Sequence, residues 1–155
     1  MQGSDLRVER AAPEDAAHIL GLQKLAYQSE ARLYDDWNLP PLQQTLESLQ
    51  AEFANSVILK AVDRGQITGS VRAREMYGTC HIGRLVVSPP AQGRGIGTLL
   101  MQEIEASFPS ARRFELFTGS RSEGNLRLYR RLGYLPCREQ STPNGVTLVF
   151  LEKSR

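Results

Sequence analysis

Apolar and polar positions recur along this chain in two periods, one near two residues and one near three and a half, and their order predicts the architecture. Leu6 to Arg10 reads as a short strand. Ala-Pro-Glu-Asp at 12–15 then opens a helix, with proline preorganised for the first turn and two acids facing the positive helix end. Ile19, Leu22 and Ala26 make its apolar stripe, and Tyr27, Glu30 and Tyr34 extend one side of it at spacings of three and four. Turn formers from Asp35 to Pro41 break it. Leu42, Leu46, Leu49 and Phe53 recur at i, i+4, i+7 and i+11, which predicts a second amphipathic helix.

The period then shortens. Val57 to Asp63 is a β-branched run, Arg64-Gly65 a turn, and Gln66 to Tyr77 an alternating strand closed by Gly78; Cys80 to Val87 resumes as a further strand. Ile96, Leu99, Leu100, Ile104 and Phe108 mark a helix that Pro109 helps to end. Arg113 to Thr118 follows as a strand, Ser122 to Leu132 as a helix with Gly133 beyond its end, and Tyr134 to Glu139 with Val146 to Glu152 as a last hairpin. The order β-α-α-β-β-β-α-β-α-β-β, with no repeat or low-complexity segment, predicts an α/β (α+β) fold: a mixed sheet with helices on both faces. Residues 1–155 are expected to form a single domain.

Composition changes this picture little. Hydrophobic residues at 41% and charged residues at 23% are ordinary globular usage, which excludes disordered, collagen-like and coiled-coil chains. The longest apolar runs are too short to span a membrane, and Met1 to Arg10 is too polar for a signal peptide, so a cytoplasmic protein without a membrane partner is expected. Cys80 and Cys137 show no CxxC or Cys/His spacing; two buried thiols, no disulfide and no metal are the expectation. Charge is divided along the chain. The formal +2 combines −5 over residues 1–56 with +7 over residues 57–155, a division that suits two ligands of opposite charge, one ligand gripped at two ends, or solvated faces.

The stretch Val86-Val-Ser-Pro-Pro-Ala-Gln-Gly-Arg-Gly-Ile-Gly97 carries the chemistry. Pro89 and Pro90 hold the chain extended after a strand, and Gly93, Gly95 and Gly97 remove the Cβ atoms that would keep a ligand from the backbone. A helix begins there, so its unpaired N–H groups face the same space, and Arg94 adds charge: a place for phosphate or pyrophosphate. Spacing separates the candidate binders. A P-loop needs a lysine that this stretch lacks, and a dinucleotide fingerprint needs G-x-G-x-x-G where this chain has G-x-G-x-G. Gln92-Gly93-Arg94-Gly95-Ile96-Gly97, preceded by Leu85-Val86-Val87-Ser88-Pro89, resembles the pyrophosphate loop of the GNAT (Gcn5-related N-acetyltransferase) superfamily. A second stretch agrees: Leu128-Tyr129-Arg130-Arg131-Leu132-Gly133-Tyr134 is similar to that family's LYxxxGF helix end.

The resemblance covers nearly the whole chain and implies a mostly antiparallel sheet of six to seven strands and direct transfer of acetyl from acetyl-CoA to an amine. It implies that Leu85, Val86, Val87, Gln92, Gly93, Arg94, Gly95, Ile96, Gly97, Thr98, Asn125 and Tyr129 contact the cofactor. The strand before the loop is expected to carry a bulge, placed at Gly83, that splays it from its neighbour and leaves backbone near Leu85 and Val87 for the pantetheine amides. Tyr129 is the implied proton donor to the departing thiolate; the alternative is that it only packs a helix face. One departure from the family pattern is Ser122, where an asparagine often stands; Asn125, a turn closer to Tyr129, takes the cofactor contact or else bonds locally in the first helical turn.

Tyr27, Glu30 and Tyr34 are the expected acceptor-binding residues, with Glu30 either taking the amine's proton or remaining a solvated acid, and with Glu75 and Glu115 as other candidate bases. No metal is expected, and the expected partners are acetyl-CoA and an amine on a small molecule or peptide, in a monomer or homodimer. Two rival readings stand beside this one. An acyl-CoA-binding regulatory module would have no need of Tyr129, and nucleic-acid binding through Arg127, Arg130 and Arg131 lacks interleaved aromatics and places those arginines where a CoA phosphate would use them.

Overall fold

A computed structural model describes residues 5–155. Seven strands form one sheet: β1 (Arg7–Arg10), β2 (Val57–Asp63), β3 (Gln66–Met76), β4 (Thr79–Val87), β5 (Arg113–Gly119), β6 (Leu135–Ser141) and β7 (Thr147–Ser154), in the order β1-β2-β3-β4-β5-β7-β6. Every pairing is antiparallel except β4 with β5. The hairpins β2–β3 and β3–β4 turn on Arg64-Gly65 and Tyr77-Gly78, all four at positive φ, as two-residue turns matched to strand twist require.

Alternation along β2 divides the core. Leu59 and Ala61 face a cluster with Ile96, Leu100, Met101 and Ile104 of α5 (Ile96–Ala106) and Tyr129 of α6 (Glu123–Arg131), while Ile58 faces a second cluster with Ala16, Ile19 and Leu49. Helices therefore cover both faces, as expected.

The two N-terminal helices are each interrupted. The first is α1 (Ala16–Ala26) followed by α2 (Gln28–Tyr34), with the break at Tyr27 and an end at Asp35 in left-handed geometry, φ 50°. The second is one turn, α3 (Pro40–Gln43), then α4 (Leu46–Glu52). Thr45 caps α4 by accepting from the Ser48 N–H at 3.1 Å, and Gln44 between them is extended, which aims its amide into the protein. What it reaches is Arg72 of β3. The guanidinium is held by Glu52 (2.6 and 3.1 Å), Gln23 (3.0 Å) and Gln44 (2.9 Å), and Gln23 also donates to the Pro41 carbonyl at 2.9 Å. One buried cation thus ties α1, the α3–α4 junction and α4 to the sheet.

Cys80 is buried as expected, but Cys137 is exposed: it lies on β6, an edge strand whose seven residues all face solvent. The bulge also sits one residue later than expected. Between the pairs Ser70 with Val86 and Arg72 with Gly83, β3 has one residue and β4 has two, Arg84 and Leu85. Arg84 takes the left-handed backbone at φ 54°, whereas Gly83 does not have positive φ.

Candidate active site

Pairing of β4 with β5 covers only Thr79–His81 against Arg113–Glu115. Beyond it the two strands part, so the β5-facing edge of Ile82 to Val87 is left without a strand partner, and the sheet opens into two cavities.

The first, about 620 Å³, lies between the start of α5 and α6. Its floor is made where the chain leaves β4: Pro89–Ala91 form a single 3-10 turn, Gln92 donates from Nε2 to the Val87 carbonyl at 3.2 Å, and Gly93 and Gly95 take φ of 79° and 82°. The first helical bond of α5 runs from the Leu99 N–H to the Gly95 carbonyl at 3.0 Å. Ile96, Gly97 and Thr98 thus present N–H groups free of helical partners at the positive end of the helix, and all three line the cavity. Asn125, Arg127 and Arg131 of α6 stand opposite. Of the residues expected to contact a cofactor, Leu85, Val86, Val87, Gln92, Gly93, Gly95, Ile96, Gly97, Thr98 and Asn125 line this space. Arg94 does not; it pairs with Asp63 at 3.0 Å on the outer side of the loop. Arg130 also lies outside the lining.

The second cavity, about 890 Å³, lies on the other side of the parted strands, with Ile82 to Leu85 along one wall and Leu116 to Gly119 along another. Tyr27, Glu30 and Tyr34 all line it, as does Tyr129. The two cavities share four lining residues: Tyr27, Glu30, Leu85 and Asn125.

A directional hydrogen-bond chain ends at Glu30. Ser122 donates from Oγ to Glu30 Oε1 at 2.7 Å, so its single proton is used. Tyr34, 2.8 Å from the same Oγ, must therefore be the donor there, and its own oxygen accepts from the Arg121 N–H at 2.9 Å. Asn125 bridges Thr118 Oγ1 (3.2 Å) and Glu30 (3.4 Å). Glu30 thus accepts hydrogen bonds from two side chains, Ser122 and Asn125, at the junction of the cavities. Gly119 makes this approach possible, since a Cβ there would overlap the Tyr34 hydroxyl. The role of Ser122 is absent from the sequence reading because its partners lie 92 and 88 residues away. The visible signal is that a hydroxyl stands where the family pattern has an amide.

Tyr129 is buried in the larger core cluster, its ring 6.2 Å from that of Tyr134. Burial, helped by the neighbouring Tyr27 and Glu30, pushes its pKa well above the ordinary phenol value, so it stays a protonated donor. The same burial effect raises Tyr27. Cys80 is pushed up to about 12 by burial and by Glu75 and Glu105, which leaves no thiolate at neutral pH. The other carboxylates lie elsewhere: Glu75 is exposed, and Glu115 is engaged by Arg113 (2.6 Å) and Arg138 (3.2 Å). Neither lines a cavity. Among the described residues no group of His, Cys, Asp and Glu is placed to hold a metal ion, and no helix is long and apolar enough to cross a membrane.

No curated protein matches the chain in sequence. Its fold is shared with many solved structures. The PaiA N-acetyltransferase of Thermoplasma acidophilum, solved in complex with coenzyme A, is 14% identical, with 97% of this chain and 99% of that one covered at a TM-score of 0.79. The ribosomal-protein-S18-alanine N-acetyltransferase of Escherichia coli is 11% identical, covering 96% and 93% at 0.79, and the ribosomal-protein-alanine N-acetyltransferase of Brucella melitensis is 20% identical, covering 96% and 99% at 0.77. Residues 22–134 match the acetyltransferase (GNAT) family, and with the parted β4 and β5 strands and the glycine-lined start of α5 that match makes the chain a member of the GNAT family of acetyltransferases.

Proposed function

We propose that residues 1–155 act as one catalytic domain that transfers an acetyl group from acetyl-CoA directly to an amine. The observation that carries this reading is the meeting of the two cavities at Tyr27, Glu30, Leu85 and Asn125, with Tyr129 beside them. Acetyl-CoA supplies an activated acetyl thioester on an amide-bearing arm that ends in a pyrophosphate. The first cavity fits such a molecule: bare backbone at Gly93, Gly95 and Gly97, free N–H groups at Ile96 to Thr98 for an anion, and Arg127 and Arg131 for further phosphate charge. The unpaired edge of β4 offers N–H and C=O groups to amides in the manner of an added strand, and one of its N–H groups polarises the thioester carbonyl.

Direct transfer takes an ammonium to an amide, so two protons leave the nitrogen, one to a base and on to solvent and one to the departing thiolate, while a C–N bond replaces a C–S bond. Glu30 takes the amine's proton, or holds the ammonium until a water takes it, from the acceptor side of the junction. Tyr129 donates a hydrogen bond to the sulfur. A free thiol has a pKa of about 8.5, below that of any phenol, so this donor works through its position and not through its acidity. No covalent link to the protein is required, in keeping with the inert Cys80.

Calorimetry with acetyl-CoA and its desulfo analogue, followed by free-thiol release over a panel of amines and peptides, tests the reading. Cofactor binding and thiol release with at least one amine are expected; no binding at millimolar acetyl-CoA would overturn it.

A further inference from the structure

The second cavity is lined by an arginine with a buried nitrogen that no group among the described residues satisfies. Arg84 stands at the β4 bulge and lines this cavity. Its Nη1 is buried with no hydrogen-bond partner, and its guanidinium makes no ion pair among the described residues. Arg72, on the neighbouring strand, shows the contrast, because Glu52, Gln23 and Gln44 satisfy it. Both oxygens of Glu52 are turned to Arg72, so Glu52 reaches Arg84 only through its charge and not through a hydrogen bond. The backbone adds to the cost. Arg84 holds a left-handed φ of 54°, a conformation open to glycine, while Gly83 beside it does not. Burial and the charge of Arg72 weaken the protonated form of Arg84, Tyr27 and Glu52 offset this only in part, and a bound anion would favour it.

The same cavity also carries acids, with Glu30 and Asp36 on its lining, and Tyr27 lies within the electrostatic reach of both Arg84 and Glu30. We propose that the acceptor is a small amino carboxylate whose carboxylate is bound by Arg84 while its amine meets Glu30. This rests on the acetyl-transfer reading above and narrows it. A guanidinium with unused donors suits a planar carboxylate better than a lone charge does, because two parallel N–H groups meet two oxygens. The acidic first third and the basic remainder of the chain are then the two ends of one grip.

The test uses matched probes: L-glutamate, L-phenylalanine and L-methionine, each beside its α-amide and its decarboxylated amine, assayed by free-thiol release. For at least one set the carboxylate is expected to be turned over with a kcat/KM about 10- to 10²-fold above its amide, the range that hydrogen bonds to a charged group supply. Arg84→Met is expected to collapse that ratio to near unity through KM, and Arg84→Lys to restore part of it. Turnover confined to amines without a carboxylate, or a preference that survives Arg84→Met, overturns the proposal. So does acetyl-CoA binding with no amino carboxylate accepted.

A second measurement needs no substrate. A half-buried charge with an unsatisfied Nη1 adds nothing to the stability of the free protein, so Arg84→Met is expected to melt at the same temperature as the parent or a few degrees higher. A fall of more than about 5 °C makes the guanidinium a structural group and overturns the proposal. Absence of acetyl-CoA binding by the parent would instead remove the acetyl-transfer reading itself.

Discussion

The wall of the first cavity that meets α6 is one continuous stretch, Leu85 to Thr98, and most of what it offers is main chain: free N–H groups, an unpaired strand edge, and glycines that keep side chains away. The second cavity is built the other way. Its polar groups are side chains from α2, β3, β4 and the loops beside them, and several are oriented by contacts across 20 residues or more, such as Glu52 on Arg72 and Asn144 on Asp36. A backbone site can be carried by a short local motif. A side-chain site depends on how distant segments are brought together, and that can vary while the sheet stays the same.

This contrast can be broken from either side. The largest effect is expected where the two cavities meet: Tyr129→Phe should lower kcat by about 10²-fold with acetyl-CoA affinity within a factor of about two, because only a proton donor is lost. An unchanged kcat removes Tyr129 from the reaction. On the backbone side, Gly95→Val forces a branched residue into φ 82° and should weaken acetyl-CoA binding by about 10- to 10²-fold while the acceptor KM holds. On the side-chain side, Tyr34→Phe removes the hydroxyl that donates to Ser122 and so loosens the chain that ends at Glu30; Tyr34 lines only the second cavity, and its loss should lower kcat by about 10-fold, with cofactor binding intact. A cofactor defect in Tyr34→Phe, seen by calorimetry, would erase the distinction between the two walls.

The smallest effect lies outside both cavities. Burial alone would raise the pKa of Glu115, but hydrogen bonds from Arg113 and Arg138 outweigh it and hold the carboxyl below its ordinary 4.5. A depressed carboxylate stabilises the fold fully above that ordinary value and loses its contribution as pH falls through the folded value. Glu115→Gln should therefore flatten the acid side of the melting-temperature profile below pH 4.5. An acid limb as steep as the parent's would show that other carboxylates set it.

The same division explains what the sequence made legible. The order of elements along the chain, helices on both faces and the α5 loop follow from periodicity and from proline and glycine placement, which are local. Breaks at Tyr27 and Gln44 are not legible in the same way, because the Arg72 contacts to Gln23 and Gln44 beside them are long-range and the apolar stripes run on through the breaks. Gln23 is the one local hint: a buried amide one turn after Ile19 within an apolar stripe. The bulge is expected at glycine, the residue that enters left-handed geometry freely, and stands instead at Arg84, against the local backbone preference. Cys137 has the composition of a core position but lies on an edge strand, and edge position is a property of strand order that no window of sequence contains.

The central claim is that the α5 side of the junction holds the acetyl carrier and the far side holds the acceptor. Backbone amide resonances followed by NMR during titration with acetyl-CoA test it without a known acceptor. Perturbations should concentrate at Leu85 to Val87, Gly93 to Thr98 and Asn125 to Leu128; perturbations centred on Asn38, Arg74 and Asn144, at the far wall of the second cavity, would contradict it.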